Sequence, residues 1–121
     1  MKTKRVGYYE IGPTQVELVV KGGNGGGFDT GAKPGCVTQI WIGVDGEWNE
    51  VVSVLLHEAL EFCFMHAGLR YCPAPDYSDD NGGYLFSMDH TQFSEATARA
   101  GGFVAAAIPD LCLQFKKWKK R

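Results

Sequence analysis

The stretch from Val51 to Met65 is oily throughout except at Ser53, His57, Glu58 and Glu61. A chain must bury such a stretch, and ionisable groups carried inside it have to be paired, hydrogen-bonded or bound to an ion. At about 100° per residue, His57 and Glu61 lie about 40° apart on one helix face, with Glu58 beside them. Glu50 and Ser53 extend the same stripe toward the N-terminus, while Val52, Leu55, Leu56, Leu60, Phe62, Cys63 and Met65 occupy the other faces. The pattern predicts a buried helix with one polar seam, and the seam has the make-up of a metal-site helix.

Around that helix the chain reads as one domain, residues 1–121, large enough for a real core. Val6 to Ile11 and Gln15 to Lys21 alternate like two strands joined by a turn at Gly12-Pro13. Residues 22–35 hold seven of the sixteen glycines and read as a flexible Gly-rich loop. That loop lacks the GxxxxGK[ST] order of a phosphate cradle. Val37 to Val44 is a third strand, followed by the central helix from Glu47 to Ala67, which Gly68 terminates. After a polar loop at 76–83 and a short strand within Tyr84 to Met88, Asp89 caps a second helix, with Gln92 at the capping-box position. This helix runs to about Ala107, with Gly101-Gly102 as a soft or close-packing point, and Pro109 restarts a last helical stretch from Asp110 to Trp118. The fold class expected is α+β, a small mostly antiparallel sheet packed on two main helices.

Composition narrows the partners. A net charge of −2 points to neither nucleic acid nor a membrane as the main partner. No signal-peptide pattern opens the sequence, and no apolar run reaches the roughly 18–20 residues of a membrane span. Cys36, Cys63, Cys72 and Cys112 show no CxxC spacing, so a zinc knuckle is unsupported and a cytoplasmic protein with reduced thiols is expected. Cys63 and Cys112, like Phe62, Phe64, Phe86 and Phe93, read as core; Trp41 and Trp48 are expected beside the central helix or lining a groove. Basic residues cluster locally, at Lys2, Lys4 and Arg5 and in a basic tail at 116–121 around Trp118.

A helical His at i and a carboxylate at i+4 can reach one divalent ion, zinc being the one expected, with Glu58 either supporting the ligands from behind or acting as a general base on bound water. The third ligand has to come from elsewhere. His66 lies about 180° around the helix from His57 and points away. His90, at the start of the second helix, is the best candidate, with Asp89 and Glu95 as carboxylate alternatives. The metal-free alternative is a hydrogen-bonded cluster of His57 with Glu61 or Asp89, partnered by Tyr84 or Ser53.

A strand, a short turn, a long helix with His57-Glu58-x-x-Glu61 and a second helix offering a ligand resemble the minimal zincin metallopeptidase plan over roughly residues 37–105. The resemblance implies that His57 is the first metal ligand and Glu58 the residue that activates water. Glu61 stands where zincins carry their second histidine, which makes the site less selective for zinc. Residues 57–117 also resemble small proteins of bacteriophages and prophages. That pattern is matched at His57, Glu58 and Glu61, at Tyr71 and Pro73, and from Tyr84-Leu85-Phe86 through Met88, His90, Gln92, Phe93, Ser94 and Glu95. This second resemblance implies a bacterial host cytoplasm and no particular activity.

The expected function is therefore a zincin-like metal-binding protein with ligands His57, Glu61 and His90 and base Glu58, acting as a hydrolase on peptide or amide bonds. An extended substrate would pair along the edge of the strand Val37 to Val44. Two alternatives stand beside it: a non-enzymatic protein that binds and inhibits a host defence or regulatory factor, and a nucleic-acid accessory protein using the basic tail.

Overall fold

In the computed structural model, residues 2–31, 37–71 and 85–120 are described. Expectations that fall on Cys36, Cys72, Pro73, the polar loop at 76–83, Tyr84 and Arg121 lie outside these residues. The elements run β1 (Thr3–Ile11), β2 (Thr14–Lys21), β3 (Gly26–Asp29), β4 (Gln39–Gly43), α1 (Trp48–His66), β5 (Arg70–Tyr71), β6 (Leu85–Phe86) and α2 (His90–Lys119). Four strands form a mixed sheet in the order β1-β2-β4-β3, and β5 pairs with β6 in a second, two-stranded sheet. The class is α+β. Two pairings of the larger sheet, β1 with β2 and β3 with β4, are antiparallel, and β2 with β4 is parallel.

Alternation along β2 and β4 decides which sheet face is covered. Val16, Leu18 and Val20, with Ile40 and Ile42, are fully buried and share one core with Val51, Leu55, Ala59 and Phe62 of α1 and with Ala96, Ala100, Phe103, Ala107 and Leu111 of α2. Both helices therefore lie on the same face. The first packs over β3 and β4, the second over β1 and beside the first. Tyr9 ties β1 to α2: its ring meets Phe103 edge-on at 5.7 Å and its hydroxyl donates to Asp110 at 2.6 Å. Burial, then the bond to Asp110, push the Tyr9 phenol well above its ordinary value.

Local chemistry explains the helix ends. The Glu47 N–H donates to the Glu50 carboxylate at 3.3 Å, closing the N-terminal box of α1. Gly68, at φ 75°, takes the left-handed position that ends the helix, so the chain turns back into β5. The box expected at the start of α2 is present: Gln92 N–H donates to Asp89 at 2.8 Å, and Asp89 N–H to Gln92 at 2.9 Å.

Several expectations need correction. The stretch expected as a loop from residue 22 to 35 contains the strand β3. A Cβ on Gly26 would stand 2.7 Å from Val54 and 2.8 Å from the Trp41 carbonyl oxygen, so glycine here lets a strand lie close against α1 and β4. The second helix does not stop at Ala107. It continues through Pro109, which is exposed, as is Ala105, the residue whose carbonyl loses its N–H partner to the proline. Gly101 and Gly102 are no close-packing point, because a Cβ on either would meet open space. The basic tail expected at 116–121 is, as far as Lys119, the last turn of this helix.

The central helix is also less buried than its composition suggests. Sheet and α2 cover two of its sides, and Leu56 on the third is 44% exposed. Phe86 and Phe93, expected in the core, are exposed, and Trp41 lies on the sheet face away from the helices, under the Lys21 ammonium at 3.6 Å. Trp48 does pack beside the helices, against Phe115 at 5.2 Å. No helix among the described residues is long and apolar enough to cross a membrane.

Candidate functional site

The side of α1 that carries Glu58 and Glu61 adjoins β3, which among the described residues is an edge strand of the sheet. Between them lies an open cleft lined by Gly26, Gly27, Phe28, Asp29, Thr30, Glu58, Glu61 and Arg70. It continues past Glu58 into a second hollow bounded by Gly25, Gly26, Ser53, Val54 and His57. The polar seam read from the sequence thus forms one wall of a groove, and Glu58 stands at the junction of its two halves.

Helical geometry brings the predicted residues together. His57 Nε2 lies 3.4 Å from Glu61 Oε1 and 3.8 Å from Glu58 Oε2. Their environments differ sharply. The His57 side chain is 67% exposed, whereas Glu58 is 8% exposed and is the one buried charged residue among the described positions. Burial is the largest influence on the Glu58 carboxyl and raises its pKa; the nearby His57 opposes this, and Glu61 adds to it. Among the described residues, none donates a hydrogen bond to Glu58, and no fully buried side-chain oxygen or nitrogen is left unpartnered. Its oxygens are therefore reached from the cleft.

Sequence reasoning missed Arg70. Its Nη1 donates to Glu61 Oε2 at 2.8 Å, and its guanidinium sits 5.6 Å from the Phe28 ring centroid, so it spans the groove from helix to edge strand. The available signal was the helix stop at Gly68. A chain that reverses there must pass back along the last turns of the helix, and Arg70 is the first cation to do so. Phe28 also packs edge-on against Phe62 at 5.4 Å, which fixes β3 to the helix.

His90 does not join this group. It is the first residue of α2 and exposed, and α2 reaches α1 on a different side, where Arg99 approaches Cys63. Glu95 and Asp89, the alternatives, are exposed on the same helix and its cap. The second helix was expected to face the seam, but the sheet edge faces it instead. Among the described residues, no group of three or more His, Cys, Asp or Glu side chains is arranged to hold a metal ion. His66 points away from the seam, as expected, into a separate small cavity with Ile11, Thr14, Phe62, Cys63 and Arg99. Burial raises the Cys63 thiol pKa there, which keeps it in the unreactive form.

The strand Val37 to Val44 cannot offer an edge to a substrate. Its structured part, β4, is paired on both sides, by β2 and by β3. Among the described residues, the sheet edge beside the polar residues belongs to β3. Comparison of the chain with known family models, with curated proteins and with solved structures finds no match.

Proposed function

We propose that this chain is a zincin-like metal-binding protein whose groove between β3 and α1 acts on peptide or amide bonds. The observation that supports this reading best is the 3.4 Å separation of His57 Nε2 and Glu61 Oε1 on an open groove wall. Two ligand atoms bound tetrahedrally to one zinc at about 2.0–2.2 Å stand about 3.3–3.5 Å apart. The donor types and their spacing therefore fit two positions around one ion. Arg70, bonded to the other Glu61 oxygen, would orient that carboxylate, as outer partners of metal ligands do.

When bound, a divalent metal at this place supplies Lewis acidity and lowers the pKa of water. The residues supply the rest. Glu58, with its proton affinity raised by burial and its oxygens open to the groove, is suited to accept a proton and return it to a leaving amine. The edge of β3, unpaired among the described residues, offers backbone N–H and C=O groups to an extended chain, holding it across the seam.

Elemental analysis of protein purified without an affinity tag tests the reading. A stoichiometric divalent metal is expected, and it should disappear in both His57→Ala and Glu61→Ala. Protein free of metal, with a melting temperature indifferent to added zinc, sinks the proposal.

The Glu61–Arg70 bridge also favours a second reading, a metal-free ionic groove in a non-enzymatic binding protein. There the 2.8 Å bond, rather than an ion, balances the Glu61 charge. Arg70→Met separates the two. Metal retention with Glu61 freed supports the metal site; loss of stability that zinc cannot restore supports the ionic groove.

A further inference from the structure

We propose that the end of the molecule where β1 begins and α2 finishes binds the phosphate backbone of duplex DNA. The basic residues concerned come from opposite ends of the sequence: Lys2 and Lys4 from the start, Lys116, Lys117 and Lys120 from the finish. The fold brings them together. Tyr9 sits between Phe103 and Asp110, level with Ala107. From there about 16 Å of strand leads back to Lys4 and about 15 Å of helix leads on to Lys117. Both paths end at one place, because Thr3 lies opposite Lys21 and a Cβ on the next residue, Gly22, would stand 3.7 Å from the Trp118 ring.

Register also gives Lys4 its direction. It pairs with Val20, whose side chain is in the core under the helices, so Lys4 projects on the helix side of the sheet. All five lysines are exposed. Those of α2 stand on a fixed element: Trp118 Nε1 donates to Asp45 Oδ1 at 3.2 Å, and Lys119 Nζ to the Asp45 carbonyl oxygen at 2.7 Å. The Asp45 carboxylate is engaged besides by the Gly23 N–H at 2.6 Å, and Glu47 and Glu50 close the end of α1. Favourable interaction with the helix dipole accounts for cations in the last turn of α2. It does not account for Lys2 and Lys4, which belong to another element.

The kind of side chain present selects the partner. A protein interface centres on aromatic and arginine anchors, but Trp118 and Phe115 are turned against the core here, and Arg5 is on the outer sheet face, bridged to Glu17. A membrane surface calls for an apolar face to insert, and Leu113 is the one large apolar side chain exposed on this part of α2. Exposed ammonium groups without such anchors suit a row of phosphates, read by charge and not by base sequence.

The test is fluorescence anisotropy of the full chain with a labelled random-sequence DNA duplex, repeated over a salt series. With up to five phosphate contacts, affinity is expected to fall by roughly two to three orders of magnitude between about 50 and 200 mM salt. Lys4→Gln and the pair Lys116→Gln/Lys117→Gln should each weaken binding and flatten the log–log salt slope by about 1 per lysine removed. His57→Ala should leave duplex affinity unchanged, which keeps this surface separate from the groove. An unaltered slope in Lys4→Gln overturns the convergence of the two clusters. Absence of duplex binding at about 50 mM salt, or tighter binding to phosphatidylserine vesicles than to the duplex, overturns the assignment to DNA.

Discussion

Glu17 on the outer face of the sheet and Glu58 in the groove are the same side chain under opposite constraints. Glu17 accepts from Gln39 Nε2 at 2.9 Å and from Arg5 Nε at 2.8 Å. The Gln39 bond, then the Arg5 bond, hold its pKa below the ordinary value against a smaller effect of burial. Glu58 receives no such bond from the described residues, and burial drives its pKa the other way. A carboxylate whose charge is fully engaged by neighbours is structural. One that is buried, unbonded and open to a groove retains the capacity to take a proton.

The largest test of this contrast is Glu58→Gln set against Glu17→Gln. If Glu58 is a general base, its amide variant should lose roughly 10²–10⁴-fold in any hydrolytic rate while keeping the fold and the bound metal. Glu17→Gln should leave the rate unchanged. Stability should move in the opposite sense to activity. An ionised Glu58 is disfavoured by burial, so Glu58→Gln should melt no lower than the parent at neutral pH. A large drop in melting temperature would instead make Glu58 structural and end the contrast.

A smaller effect is expected from the strand that walls the groove. Gly26→Ala places a methyl group against Val54 and the Trp41 carbonyl, at distances that force β3 to shift. Overpacking of this kind costs about 1–3 kcal/mol. Chemical denaturation should register that loss, and peptide binding in the groove should weaken with it. Unchanged stability and unchanged binding together would mean that β3 does not shape the site.

These residues also show what a sequence displays and what it hides. The period of apolar residues from Val51 to Phe62, the stop at Gly68 and the Asp89–Gln92 box are local signals, and α1 ends and α2 begins where those signals stand, whereas α2 runs past Ala107 to Lys119. The grouping of His57, Glu58 and Glu61 was legible for the same reason, since one turn of helix is enough to produce it. Non-local placement was not. Nothing local to His90 tells that α2 will cover β1 and leave the polar seam to β3. The strand itself was hidden by its composition: Gly26-Gly27-Phe28-Asp29 lacks the branched residues that advertise a strand, because its neighbours leave no room for them at Gly26. Arg70 was hidden by its separation from the motif it completes.

The smallest effect concerns the outer carboxylate and its dependence on pH. The folded-state pKa of Glu17 lies below its unfolded value, near 4.3 for a free glutamate side chain. The unfolded chain therefore binds more protons between those two values, and stability rises with pH across that window. The contribution is present above the unfolded pKa and is lost as pH falls through the folded one. Glu58 behaves inversely: with its folded pKa raised, the folded chain holds the extra proton, and stability is gained as pH falls through the folded value toward the unfolded one. Melting curves of the parent, Glu17→Gln and Glu58→Gln across the acid range resolve the two. Glu17→Gln should melt slightly below the parent at neutral pH and converge with it in acid, because an ion pair whose Arg5 partner is solvent-exposed contributes little and does so only while ionised. Glu58→Gln should start at or above the parent at neutral pH and lose that advantage as the parent's Glu58 takes up its proton. Parallel curves for the two variants would show that both carboxylates sit in equivalent surroundings, and the distinction between a structural and a reactive glutamate would fall.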